Sequence, residues 1–287
     1  AASLSDANAI NNFTTGQVTL KVVKDSYDNI QAIDAIPESQ LTMSSSDITV
    51  TDQVNFVKIN TLANQTSLSN VITVNDVADT KMLLSITKGN SRVLLNNANI
   101  TVNDDVSKAD ADTINAYNNV SGTVTLTSIT DNFTNVVAAQ GTAGIAMTAA
   151  TIETDNTEAV TKANVDTLNG FTTGVVTVKS VRDTRANVEA IDVIDDGEVL
   201  MNTAIVSVTD AVTKANADSL NLLTSGQVTL ESVEDTNANI LLIDGLTTSE
   251  VTMAAAAVKV TDKVNNAEVD TLNGKTTGKV TVDILED

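Results

Sequence analysis

The chain has 287 residues, 16 Lys and Arg against 37 Asp and Glu, a net charge of −21 at pH 7, and no Cys, His or Trp. Those absences exclude disulfides, thiolate and imidazole metal sites, and any nucleophile–histidine dyad or triad. The acidity argues against sequence-independent nucleic-acid binding, which needs a basic face.

Hydrophobic residues make up 42 % but aromatics only 2 %. A core must therefore be built from Val, Ile, Leu, Ala and Met, which suits thin regular layers. No run approaches about 18 uninterrupted apolar residues, so no membrane insertion is expected. No charged segment followed by an apolar one opens the sequence. Residue 1 is Ala, from which a processed or trimmed N terminus is expected.

Taken in order, the chain opens on a helical segment, SDANAINNF (5–13), followed by TTGQVTLKVVKDS (14–26). The second pattern returns as SGTVTLTSITDN (121–132), TTGVVTVKSVRDT (172–184), TSGQVTLESVEDT (224–236) and TTGKVTVDILED (276–287). SNVITVNDVADT (69–80) supplies the missing member, with Asn70 in the slot of Gly16, Gly122, Gly174, Gly226 and Gly278. The slots are 54, 52, 52, 52 and 52 residues apart. Gly and Asn both tolerate left-handed backbone, which is the conformation this slot predicts. Nine residues after each slot stands an aspartate: Asp25, Asp79, Asp131, Asp183, Asp235 and Asp287.

Between these type A segments lie type B strands: DITVTD (47–52), NITVND (99–104), TIETDN (151–156), IVSVTD (205–210) and VKVTD (258–262). They close at Asp52, Asp104, Asn156, Asp210 and Asp262. The two series together give eleven repeats of about 26 residues, alternating in type.

Within a repeat, stretches such as VTVKSV alternate with period two and predict a strand. The aspartate after it is predicted to cap the helix that follows it in sequence. In TRANVEAIDVI (184–194), Ala186, Ala190 and Ile194 form a helical stripe flanked by Val188 and Ile191. Helices are predicted to stop at Gly170, Gly245 and Gly274. Strand–helix–strand units with short links imply parallel strands and right-handed crossovers. The expected fold is a single α/β repeat solenoid over 1–287, with a parallel β-sheet on one side and short helices on the other. The alternative is a right-handed β-solenoid in which the helices are irregular turns.

Stacked aspartates one repeat apart could bind calcium, which takes six to eight oxygens. Their recurrence at every strand–helix junction favours capping instead. Asp195, Asp196 and Glu198 form a separate acidic loop, the other calcium candidate, read against a plain solvated turn. No carboxylate pair stands outside the repeat to serve hydrolysis, so no enzyme and no catalytic residue is predicted. Phe13 and Phe171 occupy a repeat slot and are expected in the core.

The two ends carry the functional expectation. Strand KVTVDILED (279–287) alternates Val280, Val282 and Ile284 with no helix after it, and an uncovered edge strand invites pairing. Stacking on Ile10, Phe13, Val18 and Leu20 of another copy would give an end-to-end filament or surface layer. The alternatives are an adhesin or carbohydrate-binding solenoid with surface polysaccharide as partner, or a fragment of a larger surface protein.

At TRANVEAIDVI, TKANVDTLNG and VTLESVEDTNANI, the chain resembles Asp/Thr/Asn-rich repeat modules of large secreted bacterial surface proteins of cyanobacterial type. The resemblance implies an extracellular or cell-surface location and a matrix role. The glycine-rich calcium repeats of such proteins are not found in this sequence.

Overall fold

The structure, a computed structural model, describes residues 1–65, 70–118, 121–195, 197–246 and 250–286. The chain forms two compact units, one of residues 1–129 and 138–147, the other of 130–137 and 148–287. The class is α/β, with parallel strands alternating with helices. The segments read as helices are helices rather than irregular turns.

The first unit contains α1 (Leu4–Phe13), β1 (Val18–Thr19), β2 (Val22–Asp25), α2 (Tyr27–Asp34), β3 (Leu41–Thr42), β4 (Asp47–Val54), α3 (Phe56–Gln65) and β5 (Ile72–Asp79). It continues with α4 (Lys81–Gly89), β6 (Val93–Leu94), β7 (Asn99–Val106), α5 (Lys108–Asn115) and most of β8 (Val124–Asp131). After α6 (Phe133–Gln140) it ends with β9 (Ile145–Ala146). Strands pair in the order β2, β4, β5, β7, β8, with β6 on β5, β9 on β8, and β1 on β3.

The second unit carries β10 (Thr151–Thr154), α7 (Lys162–Asn169), β11 (Val176–Thr177), β12 (Ser180–Asp183), α8 (Arg185–Asp192), β13 (Val199–Leu200), β14 (Ile205–Val212) and α9 (Lys214–Leu223). It closes with β15 (Val228–Asp235), α10 (Asn237–Asp244), β16 (Val251–Thr252), β17 (Ala257–Asn265), α11 (Asn266–Asn273) and β18 (Val280–Glu286). Here the orders are β10, β11, β13 and β12, β14, β15, β17, β18, with β16 on β15.

Each pairing is parallel and keeps apolar columns in register, as in Val206↔Val228 and Val208↔Leu230. Such columns are buried beneath the helices, which contribute pairs such as Ile30 with Ile33 and Ile240 with Ile243.

Two features depart from the sequence expectation. The first concerns the repeat glycines. Among the described residues only Asn97 and Gly144 have positive φ, so left-handed backbone is not why the slots are glycine. Steric room is the reason. A Cβ on Gly122, Gly174, Gly226 or Gly278 would lie 2.0, 2.3, 2.2 or 2.1 Å from the carbonyl oxygen of Ala98, Ala150, Ala204 or Ala256. Each alanine precedes a type B strand, so these contacts bring successive repeats backbone to backbone.

The second is a β-bulge in type B strands. Between Val50 and Gln53 of β4, two residues oppose one of β5, and the same happens in β7, β14 and β17. The bulged pairs contain Asp52, Asp104, Asp210 and Asp262. A bulge re-aims its side chains, and here the re-aimed group is the closing aspartate.

Candidate functional site

The aspartates bind one repeat to the one before it. They do not cap the helix that follows them. After type A strands that role belongs to the next residue, as with Ser26, Thr80, Thr184 and Thr236, and after type B strands to the third residue on, as with Ser107 and Thr213, the hydroxyl accepting in each case from the N–H three positions farther along. Eight of the aspartates instead reach the first helical N–H of the preceding repeat. Asp25 accepts from Leu4, Asp52 from Tyr27, Asp79 from Phe56 and Asp104 from Lys81, at 2.9, 2.7, 2.8 and 2.7 Å. In the second unit, Asp183 accepts from Lys162, Asp210 from Arg185, Asp235 from Lys214 and Asp262 from Asn237, at 2.6–2.8 Å. The N–H groups left open at a helix start are thus closed by a carboxylate from the next strand, where the helix dipole favours negative charge.

Type A aspartates do more. The Asp235 carboxylate also accepts from the Thr236 N–H and the Asn239 side-chain amide, each at 2.8 Å. Asp25 and Asp183 repeat this with Ser26 and Asn29, and with Thr184 and Asn187.

One repeat is irregular. Eight positions separate Ile152 from Val160, where six separate Val206 from Val212. Both outer residues keep their partners, Val176 and Val181. The extra residues loop out, and the closing role expected of Asn156 passes to Glu158. Its carboxylate accepts from the Thr134 N–H and hydroxyl, both at 3.1 Å.

These bonds set the acid response. Asp25 is held below the usual carboxylate range by the Asn29 amide and the Leu4 N–H. Partial burial pushes Asp183 and Asp235 upward, but their three donors outweigh it and the net shift is downward. A carboxyl with a lower pKa folded than unfolded stabilises fully above its unfolded value of about 3.9 and loses that contribution as pH falls through the folded value. Urea midpoints should therefore fall as pH drops below about 4. A midpoint that stays flat from pH 5 to pH 2.5 would show that these carboxylates do not hold the repeats together.

The calcium candidates are placed as follows. The Asp195 carboxylate accepts from the Gly197 N–H at 2.7 Å, and Glu198 accepts from Asn169 at 3.3 Å. Asp195 therefore serves its own turn, and Glu198 reaches the end of α7 in the preceding repeat. Asp196 and Asp287 lie outside the described residues. Among the described residues no group of three or more Asp or Glu gathers to hold a metal ion, and no helix is long and apolar enough to cross a membrane.

What remains is two uncovered repeat edges. On β18, Val280 and Val282 are half-buried and Leu285 is 49 % exposed. Their counterparts in β15, Val228, Leu230 and Val233, are fully buried. The bulge in β17 pairs Leu285 with the core residue Val264, while Ile284 pairs with Lys263. The apolar face of β18 is thus Val280, Val282 and Leu285, and Ile284 lies off it. Aligning VTVDILED with VTLESVED already sets Leu285 against Val233.

The other edge is β1. An apolar cleft of about 600 Å³ beside it is lined by Ala2, Ala9, Ile10, Leu20 and Val22. A polar cleft of about 440 Å³ adjoins it, lined by Asn11, Asn12, Thr14, Thr15, Gly16 and Gln40. Ile10 and Val18 are partly exposed here, whereas Leu20 is buried within its own repeat. Phe13, expected in the core, is 89 % exposed at the end of α1. It is the last residue of α1, and its side chain packs against nothing that covers it among the described residues. Phe171 is half-buried.

No family model, no curated protein and no solved structure matches this chain.

Proposed function

We propose that this chain is a structural, non-enzymatic α/β solenoid of the cell surface or extracellular matrix, whose copies associate end to end into a filament or layer. The observation that carries the reading is the exposure of core-type side chains on β18, together with an apolar cleft beside β1. Such faces are self-complementary, because every internal repeat already buries one against the other. A strand edge is a template for another strand. A head-to-tail contact between unlike faces that does not close into a ring propagates as a filament.

The test is the length distribution at physiological salt, by sedimentation velocity and negative-stain electron microscopy. The unsubstituted chain is expected to form extended polymers. The Val282→Lys/Leu285→Lys double variant is expected to remain a monomer with unchanged far-UV circular dichroism. Monomers from the unsubstituted chain across the micromolar range would overturn the reading.

A further inference from the structure

We propose that Thr14, Gly16 and Val18 form a socket for strand β18 of a second copy, with Leu285 of that copy opposite Val18. The inference rests on the end-to-end reading and specifies its contact.

Inside the chain the same socket is filled at three repeats. The hydroxyls of Thr172, Thr224 and Thr276 donate to the carbonyls of Ala150, Ala204 and Ala256 at 2.5, 2.6 and 2.7 Å. The same three hydroxyls accept from Gly174, Gly226 and Gly278 at 2.8–2.9 Å. The glycine is required because that carbonyl lies where a Cβ would be.

In the first repeat the socket is built but empty. Gly16 donates to the Thr14 hydroxyl at 3.0 Å. Among the described residues that hydroxyl has no carbonyl to donate to. A Cβ on Gly16 would meet only Thr14 Oγ1, at 3.5 Å. Nothing in this chain requires glycine there. A strand from elsewhere, arriving as Ala204 does at Gly226, would.

The outer edge of β1 is open in the same way. Val228 and Leu230 pair with β14 on the side where Val18 and Leu20 have no strand. The second copy's β18 supplies the missing member. Its free edge follows Val233, which pairs with Val258, which is in turn the residue that pairs with Val280. Shortening this column by one strand sets Leu285 opposite Val18. The carbonyl of Asp283, two residues earlier, then falls at Gly16, as that of Ala204 does at Gly226.

Charge agrees with this placement. Neighbouring strands pair Lys259 with Glu234 at 2.8 Å and Lys263 with Glu286 at 2.9 Å. In the proposed register Glu286 of the second copy falls opposite Thr19, two positions from Lys21, which makes no ion pair among the described residues. In a chain of net charge −21, a lysine at the receiving edge favours an acidic strand.

Gly16→Ala tests the socket. The melting temperature of the monomer should stay within about 2 °C of the unsubstituted chain, while assembly weakens by about tenfold or more because the new methyl group meets a carbonyl. Register is read separately with Val18→Cys/Leu285→Cys, in a protein that has no other cysteine. Oxidation should give a ladder of disulfide-linked multimers on a non-reducing gel, because adjacent strands bring Cα atoms within disulfide range. The offset pair Val18→Cys/Val280→Cys should not. If Gly16→Ala assembles normally, or the offset pair cross-links instead, this contact is wrong while end-to-end association stands. If the unsubstituted chain does not assemble, both proposals fall.

Discussion

Gly226→Ala is expected to destabilise the protein by about 3 kcal/mol, at the upper end for overpacking. The added Cβ would lie 2.2 Å from the Ala204 oxygen and 2.6 Å from its carbon. Neither atom belongs to a side chain that can swing aside, so two backbones must part. Their separation strains the Thr224–Ala204 bond at 2.6 Å and the bond from the Ser225 N–H to the Asn202 carbonyl at 2.8 Å. In a repeat protein this weakens one nearest-neighbour interface more than either repeat. Urea unfolding should therefore broaden or split into two steps, and hydrogen exchange should accelerate first in β14 and β15. A single sharp transition with an unchanged midpoint would show that the repeats tolerate wider spacing.

Removing the Asp235 carboxylate should cost about as much for a different reason. Asp235→Ala loses three hydrogen bonds to a charged acceptor and opens the first turn of α9, for a sum of about 3 kcal/mol. Asp262→Ala, at a type B position, loses the 2.8 Å bond from the Asn237 N–H and should cost only about 1 kcal/mol. Chemical denaturation of both variants at pH 7 and low protein concentration measures the difference. Equal losses would mean that the donors from Thr236 and Asn239 contribute nothing beyond local geometry.

Much of the fold could be read in the sequence because its signals are local. Period-two runs such as VTLESV and the apolar spacing of TRANVEAIDVI each identify an element without knowledge of its neighbours, although the inward pair of that helix is Val188 with Ile191 and the expected stripe of Ala186, Ala190 and Ile194 lies outside the core. The aspartates were conspicuous for the same reason, but which helix they serve was not. Asp25 reaches Leu4 across 21 residues, and adjacency in sequence points to Ser26 and its helix instead. The glycines were ambiguous in a similar way, since a close approach and a left-handed turn both select glycine. The alanines at 98, 150, 204 and 256 were the available clue, one opposite each glycine. The bulges hid the correct face of β18. Strict alternation selects Ile284, and the odd residue in β17 transfers the inward position to Leu285. Glu158 escaped because an insertion moved the carboxylate out of its column.

The direction of the aspartate bonds also carries an order in time. Eight of the helices are completed by a strand that lies 21–25 residues farther along the chain. During synthesis, a newly made helix has open N–H groups until the following strand has emerged and swung its carboxylate into place. Each new strand then locks the helix before it and leaves the next helix waiting. Maturation is therefore expected to run from the early repeats towards the late ones, each helix closing one repeat after it is made.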